Sequence, residues 1–338
     1  MIKSIVMLAL ILMIGPAVCE AGNQGGFAGS FLEIPIDARA TAMGGAYNAV
    51  SDDGAAMLYN PAGIQSISDR IFTSSYRAMK LDRKLGYLSF IMPTHQESSL
   101  GFSWLYAGYG DVEERDISGR ITGTSISANE HDFGISFAKR FMPYLAIGAR
   151  LNYYIKSMDY LDASSVGINV GGLLYIDSLF RYGSMESKPI TDLTAGLVIK
   201  NLAAKYPWET EGEGLNATQE DNFPITVGVG SSFKALKRKL LVAIDAEILI
   251  KSVEWEESTE TGVSTEKETY TDGYFRIGGE YNVVKELMVR AGLNNGTMTA
   301  GAGFVFEFGF GGLRFDYAFM ADKADEGEDH VMTLGIRF

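Results

Sequence analysis

The chain has 338 residues, 46% hydrophobic and 21% charged, and a formal net charge of −13 at pH 7. So acidic a chain repels nucleic-acid phosphates, which excludes a nucleic-acid partner. The single cysteine, Cys19, falls in an export-type leader, leaving no disulfide framework, thiolate metal site or cysteine nucleophile after it.

Residues 1–21 read as a signal peptide. Lys3 supplies the positive start, Ile5 to Ile14 is an apolar run too short to anchor in a bilayer, and Gly15-Pro16 breaks it. Cys19-Glu20-Ala21 ends on a small residue, so cleavage is expected after Ala21; Val18 is too bulky for a lipoprotein signal. Beyond residue 21 no window of roughly 18 uninterrupted apolar residues occurs, so no transmembrane helix is expected. A transmembrane β-barrel stays open, because its strands signal weakly one by one.

Residues 22–68 are small and Gly/Ala-rich, suited to tight packing in a confined space. Asp52 and Asp53 are placed as N-caps of a short helix through Ala55–Tyr59, which Asn60-Pro61 ends. From Ile71 onward the texture is β. Strands are expected at 71–79, 84–93, 98–107, 130–142, 144–157, 164–177, 191–201, 223–234, 239–251, 272–284, 286–295, 297–308, 311–322 and 329–338. That is about 14, an even count. The turns at 94–97, around 143, 235–238, around 285 and 309–310 are short, with 178–190 the exception. The connections 108–128, 158–163, 202–222, 252–271 and 323–328 read as mostly longer, acidic loops. Long loops on one side and short turns on the other is the asymmetry of outer-membrane barrels.

Within the strands apolar side chains alternate with polar ones. In 144–157, Leu145, Ile147, Ala149, Leu151, Tyr153 and Ile155 oppose Gly148, Arg150, Asn152 and Lys156. The even residues from Leu240 to Ile250 oppose Asp245, Glu247 and Lys251; Phe275, Ile277 and Tyr281 oppose Arg276, Glu280 and Asn282; Leu313, Phe315, Tyr317 and Phe319 oppose Arg314 and Asp316. With the apolar face in lipid, a polar lumen network of Arg150, Asp245, Glu247, Arg276, Glu280, Arg290, Arg314 and Asp316 is expected. Its first role would be mutual pairing that fills space and fixes a plug, its second contact with a ligand headgroup. The 17 Tyr and 19 Phe are suited to interfacial girdles.

Two stretches carry a family resemblance. Asp37-Ala-Arg-Ala-Thr-Ala-Met-Gly-Gly-Ala-Tyr47, then Val50-Ser-Asp-Asp-Gly-Ala-Ala-Met-Leu-Tyr-Asn-Pro-Ala-Gly-Ile64, resemble the N-terminal region of the PorV/PorQ family, related to the FadL-type fatty-acid channels. The core of the match is Asn60-Pro61-Ala62-Gly63, and the likeness covers residues 27–64. It implies an outer-membrane barrel whose lumen is plugged by a hatch, 22–68, with the barrel at 69–338. The last strand ends on Phe338 and resembles the insertion signal read by the barrel-assembly machinery, which would leave the C-terminus in the periplasm. The implied partners are outer-membrane lipid and a hydrophobic small molecule that passes inward and leaves through a strand kink or hatch shift. PorV likeness also implies a second role, a type IX secretion accessory that docks or shuttles exported proteins.

Catalysis finds little support. His95, His131 and His330 lie in or beside connections with no metal-ligand spacing, and neither His-Glu-x-x-His nor Gly-x-Ser-x-Gly occurs. Gly301-Ala-Gly303 sits in a strand pattern and opens no dinucleotide-binding helix. The run 322–329 reads as a solvated acidic loop before a calcium site. No enzyme and no cofactor are expected.

Overall fold

The computed structural model of the chain describes residues 27–80, 82–115, 118–158, 161–179, 189–212, 215–259, 262–309, 311–321 and 328–338. The expected leader, the start at 22–26 and most of the acidic run 322–329 lie outside the described residues.

Fourteen strands close a barrel: β1 (Ile71–Ala78), β2 (Lys84–Thr94), β3 (Ser98–Arg115), β4 (Ile121–Met142), β5 (Leu145–Met158), β6 (Leu161–Tyr175), β7 (Ile190–Leu202), β10 (Ile225–Ala235), β11 (Leu240–Thr259), β12 (Gly262–Asn282), β13 (Leu287–Asn294), β14 (Thr297–Phe308), β15 (Gly311–Ala321) and β16 (Glu328–Arg337). Between β7 and β10 the chain makes a separate two-stranded hairpin, β8 (Lys205–Gly212) and β9 (Leu215–Asn222). Neighbouring barrel strands pair antiparallel, and β16 returns to β1 with Ile71 opposite Arg337 and Ala78 opposite His330. Closure satisfies the backbone without leaving an edge, which any structure spanning lipid must do.

The side chains sort by face as their alternation requires. In β5, exposed Ile147, Leu151 and Tyr153 alternate with buried Ala146, Arg150, Asn152 and Tyr154. Around the wall the outward positions include Phe102, Phe133, Ile135, Leu197, Phe275, Phe304, Phe315 and Leu334, all exposed. A belt of that size is tolerated only where lipid covers it. Phe338 is 53% exposed at the foot of the closing strand and stacks on Phe90, ring centroids 6.3 Å apart.

The long loops of the sequence reading need correction. β3 and β4 stay paired out to Arg115 opposite Ile121, where a loop over 108–128 was expected. β11 and β12 pair without a break out to Thr259 opposite Gly262, across the expected loop 252–271. The third, 202–222, is the β8–β9 hairpin. Polar composition misled because an apolar outward face is needed only where lipid touches the strand. Past that height the backbone ladder alone continues the strand, and Thr, Val, Ile and Trp support it. His131 and His330 accordingly lie within β4 and β16.

The lumen is filled by the segment before β1. A short arm, residues 27–36, holds a 3-10 turn at Ser30–Glu33. The compact hatch follows: α1 (Ala38–Ala42), α2 (Ala56–Tyr59) and a 3-10 turn at Pro61–Ser66. The first helix of the hatch is made entirely of Ala, Thr and Arg39, and every residue of it is buried. Small side chains let its backbone lie close to the wall. Gly44, in the left-handed region at φ 67°, shows how close: a Cβ there would sit 2.6 Å from the Leu293 carbonyl oxygen.

Candidate functional site

Two sites of opposite character share the lumen. Where β1 begins and β16 ends, here the terminal end, hatch and wall meet through charge. Toward the far end, the arm and the wall meet through aromatic rings.

The charged site centres on Arg39. Its Nη1 donates to the Tyr47 hydroxyl (2.8 Å), to Asp53 (3.1 Å) and to Asp52, and its Nε donates to Glu280 on β12 (2.8 Å). Glu280 also accepts from Arg290 Nε (2.7 Å), and Arg290 Nη1 lies 2.8 Å from Asp316. Asp316 accepts from Arg314 Nε (2.6 Å), and Arg314 Nη1 stands 4.0 Å from Asp53. The circuit returns to Arg39. A second group is built on Asn48: the backbone N–H groups of Tyr47 and Asn48 donate to Asp245 (2.7 and 2.8 Å), and the Asn48 side chain donates to Glu247 (3.0 Å). Glu247 also pairs with Lys200 (3.4 Å) and with Arg276.

Seven of the eight lumen residues expected from sequence therefore converge on the hatch. Arg150 does not; it pairs with Asp132 (2.8 Å) and Ser103 (3.0 Å) on the wall. Burying this many charges is costly unless each is paired, so these contacts fix position as much as they stabilise. Arg39 and Asp132 were missed by the sequence reading. Of the two expected caps, Asp53 accepts the Ala55 N–H (3.1 Å) at the start of this short helical segment, whereas among the described residues no such bond is made by Asp52; both carboxylates also pair with Arg39. Although burial opposes it, Arg39 and Arg314 hold the Asp53 carboxyl below its usual range. Asp37 goes the other way. It caps α1 through the Ala40 N–H (2.9 Å), and burial beside Asp53 and Asp316 pushes its carboxyl up to about 7.

The four residues of the expected hatch motif tie this body to β5 and β6. The Asn60 side chain accepts from the Ala62 N–H (3.1 Å) and donates to the Asn48 carbonyl (2.8 Å) and, on β6, the Gly172 carbonyl (3.2 Å). Pro61 and Ala62 lie against Gly148 of β5, where a Cβ would come within 2.6 Å of their backbone. Gly63 passes against Ser51. On the terminal side a cavity of about 370 Å³ separates the hatch from the wall, reaching Asp37, Asp53 and Arg314 inside and Ile71, Glu307 and Arg337 at its rim.

The aromatic site lies beyond the hatch. Phe31 of the arm is fully buried in one apolar cluster with Leu85, Leu105, Tyr154, Tyr206 and Phe223. Tyr154 and Phe223 stack at 4.7 Å, and Tyr206 meets Phe223 edge-on at 4.8 Å. Tyr206 and, packed at the margin, Trp208 come from β8, so the hairpin roofs the chamber. A separate cavity of about 40 Å³ lies between the arm and the hatch, lined by Glu33, Tyr59, Arg150, Lys200, Glu247 and Arg276. The sequence carried one overlooked sign of this site: Tyr154 falls in the polar-facing register of β5, between Asn152 and Lys156. Phe31 sat in the Gly/Ala-rich stretch 22–68 and Tyr206 in a connection read as an acidic loop, and neither gave a period.

Beside the chamber the wall is irregular. The β6–β7 ladder shifts between Ile168 and Val170, and the Asn169 side chain accepts from the Asn201 N–H (2.8 Å) in place of a ladder bond. Asn201, with φ 62°, also donates to the Pro224 carbonyl (3.1 Å) and accepts from the Tyr154 hydroxyl (3.2 Å).

No protein-family model and no curated relative matches this sequence. Solved structures do match. The toluene transporter TodX of Pseudomonas putida superposes with a TM-score of 0.56 at 13% identity, covering 88% of this chain and 95% of that one. A FadL homologue of Pseudomonas aeruginosa gives 0.58 at 12% identity over 90% and 98% of the two chains. The CymD monoaromatic hydrocarbon channel gives 0.57 at 13% identity over 89% and 96%. At such identities the likeness is one of fold: a closed 14-strand antiparallel barrel of the FadL-like outer-membrane channel type.

Proposed function

We propose that this chain is a plugged outer-membrane channel for uptake of hydrophobic small molecules. The observation that carries the reading is the aromatic chamber, a buried apolar site whose occupant is the chain's own Phe31. Apolar sites with few polar groups are what small hydrophobic ligands bind. The names of the fold relatives, a toluene transporter and a monoaromatic hydrocarbon channel, agree with it. In this reading the far end faces outside, and an incoming molecule displaces the arm. The ion-paired hatch stays in place, and the molecule leaves where the β6–β7 ladder gives way to side-chain bonds. No chemistry is performed on the cargo, so the protein acts as a transporter and not as an enzyme.

The test is uptake of radiolabelled toluene by cells carrying the gene and by cells deleted for it. Slower uptake on deletion is expected; identical rates would overturn the reading. Placement in the PorV/PorQ branch rests on the resemblance of residues 27–64. A secretion-accessory role rests on that resemblance alone, and co-purification of exported proteins with the barrel is the result that would favour it.

A further inference from the structure

At the apolar chamber and its margin stand two polar groups that the fold leaves unmatched. The Tyr206 hydroxyl is fully buried, and among the described residues it has no hydrogen-bond partner. Glu130 of β4, 2% exposed, faces the same end of the lumen. Its Oε1 is used by Lys156 (3.3 Å) and by the Tyr109 hydroxyl (3.4 Å), while its Oε2 is buried with no partner among the described residues. The two groups belong to one neighbourhood. Glu130 is the charge acting most strongly on the Tyr206 hydroxyl, which burial in any case keeps protonated. Lys156, the partner of Glu130, lies 6.0 Å over the ring of Trp208, two residues from Tyr206. A buried donor and a buried acceptor left unmatched are each expensive, and a fold that keeps both is prepared for something that pairs with them.

The arm shows what shape that something has. Phe31 places a benzyl ring in the cluster, and Tyr109, the residue bonded to Glu130, packs against that same cluster. Gly29, with φ 72° and packed on Phe223, is the point where the arm turns. Phe31 and Tyr206 are both fully buried in this one cluster, so a ring enters only as Phe31 leaves.

We propose that the chamber selects monocyclic aromatics bearing a hydroxyl, compounds of the phenol type, over the bare hydrocarbon. The ring takes the place of Phe31. The ligand oxygen accepts from the Tyr206 hydroxyl, and its proton is donated to Glu130 Oε2. A hydrocarbon fills the same ring site and leaves both groups unmatched, the situation in which a polar site discriminates most strongly. This inference rests on the channel reading above and names its substrate class.

The test is calorimetric titration of the detergent-purified protein with p-cresol and with toluene, each corrected against empty micelles, on the wild type and on Tyr206→Phe and Glu130→Gln. Folding of each variant is checked by heat-shifted electrophoretic mobility. Cresol is expected to bind at least about tenfold more tightly than toluene, the equivalent of one well-made hydrogen bond. In either variant that ratio is expected to shrink to within about twofold. Equal affinities in the wild type would overturn the inference and leave the channel reading standing. A cresol preference that survives both substitutions would overturn the assignment to Tyr206 and Glu130. Binding of neither compound, in the wild type or in Phe31→Ala, would overturn both the inference and the channel reading.

Discussion

The arm and the hatch are consecutive in sequence and lie in the same lumen, yet different physics holds them. The hatch is fixed by directional contacts: Arg39 alone bonds to Asp52, Asp53, Glu280 and Tyr47, and Asn48 and Asn60 add bonds to the wall. The arm, apart from a weak contact of Glu33 with Thr226 (3.4 Å), the Pro35 carbonyl bonded to Arg77 (2.6 Å) and the Lys251 ammonium over the Phe27 ring (4.1 Å), is held by apolar packing around Phe31. Apolar contacts can be traded for those of another apolar molecule at little net change. A buried ion pair cannot be traded without leaving a charge unmatched. The division marks which part of the plug a hydrophobic ligand can replace and which part it must pass.

The comparison can be broken at four points, from the largest effect downward. Arg39→Ala removes the one cation shared by Asp52, Asp53 and Glu280, leaving Glu280 to Arg290 and Asp53 to Tyr47 and Arg314, and is expected to destabilise the seated hatch by about 3 kcal/mol. Limited proteolysis between residues 37 and 68 should then appear under conditions that leave the wild type intact. Gly148→Ala puts a methyl into the backbone of Pro61 and Ala62 and should cost about 1–3 kcal/mol by overpacking. Urea denaturation in detergent measures it, and an unchanged midpoint would show that the hatch yields there.

Asp37 supplies a pH dependence. Its folded value of about 7 lies above the usual carboxylate range, so between pH 4 and 7 the folded chain keeps a proton that the unfolded chain releases. Stability from this group is therefore greatest at acid pH, falls as pH rises through that window, and is flat above it. Hatch protection should drop by about 2 kcal/mol from pH 5 to 8, and Asp37→Asn, which keeps the cap, should remove most of that slope. Phe31→Ala is the smallest change to the whole. Its expected effect on unfolding of the barrel is under about 0.5 kcal/mol, with the loss confined to the arm, while toluene binding tightens because its competitor is gone. A large fall in barrel stability would show that the arm is as structural as the hatch.

What could be read in advance follows the same division. The wall was legible because lipid on one side and a charged lumen on the other impose a period of two with strong contrast, as Ile147, Leu151 and Tyr153 against Arg150 and Asn152 show. Above the lipid that contrast vanishes, so the paired ends of β3–β4 and β11–β12 read as loops. The charged residues of β11 to β15 were legible as inward-facing, since each interrupts an apolar alternation. Their partners were not: Arg39 and Glu280 are 241 positions apart, and nothing local in either stretch refers to the other. The chamber was the least legible part. It is assembled from Phe31 on the arm, Tyr154 on β5, Tyr206 and Trp208 on β8 and Phe223 just after β9, too few in any one segment to set a pattern.

The seam between β1 and β16 also sets an order of events. Ile71 opposite Arg337 is the longest-range strand pairing among the described residues, and it cannot form until nearly the whole chain has been delivered. The hatch precedes β1 and already touches that last strand, where Thr333 Oγ1 accepts from the Ala38 N–H (2.9 Å) and meets the Ser75 hydroxyl (2.8 Å). The seam is thus one joint with the plug: the strand that completes the cylinder is also a strand to which the plug is bonded.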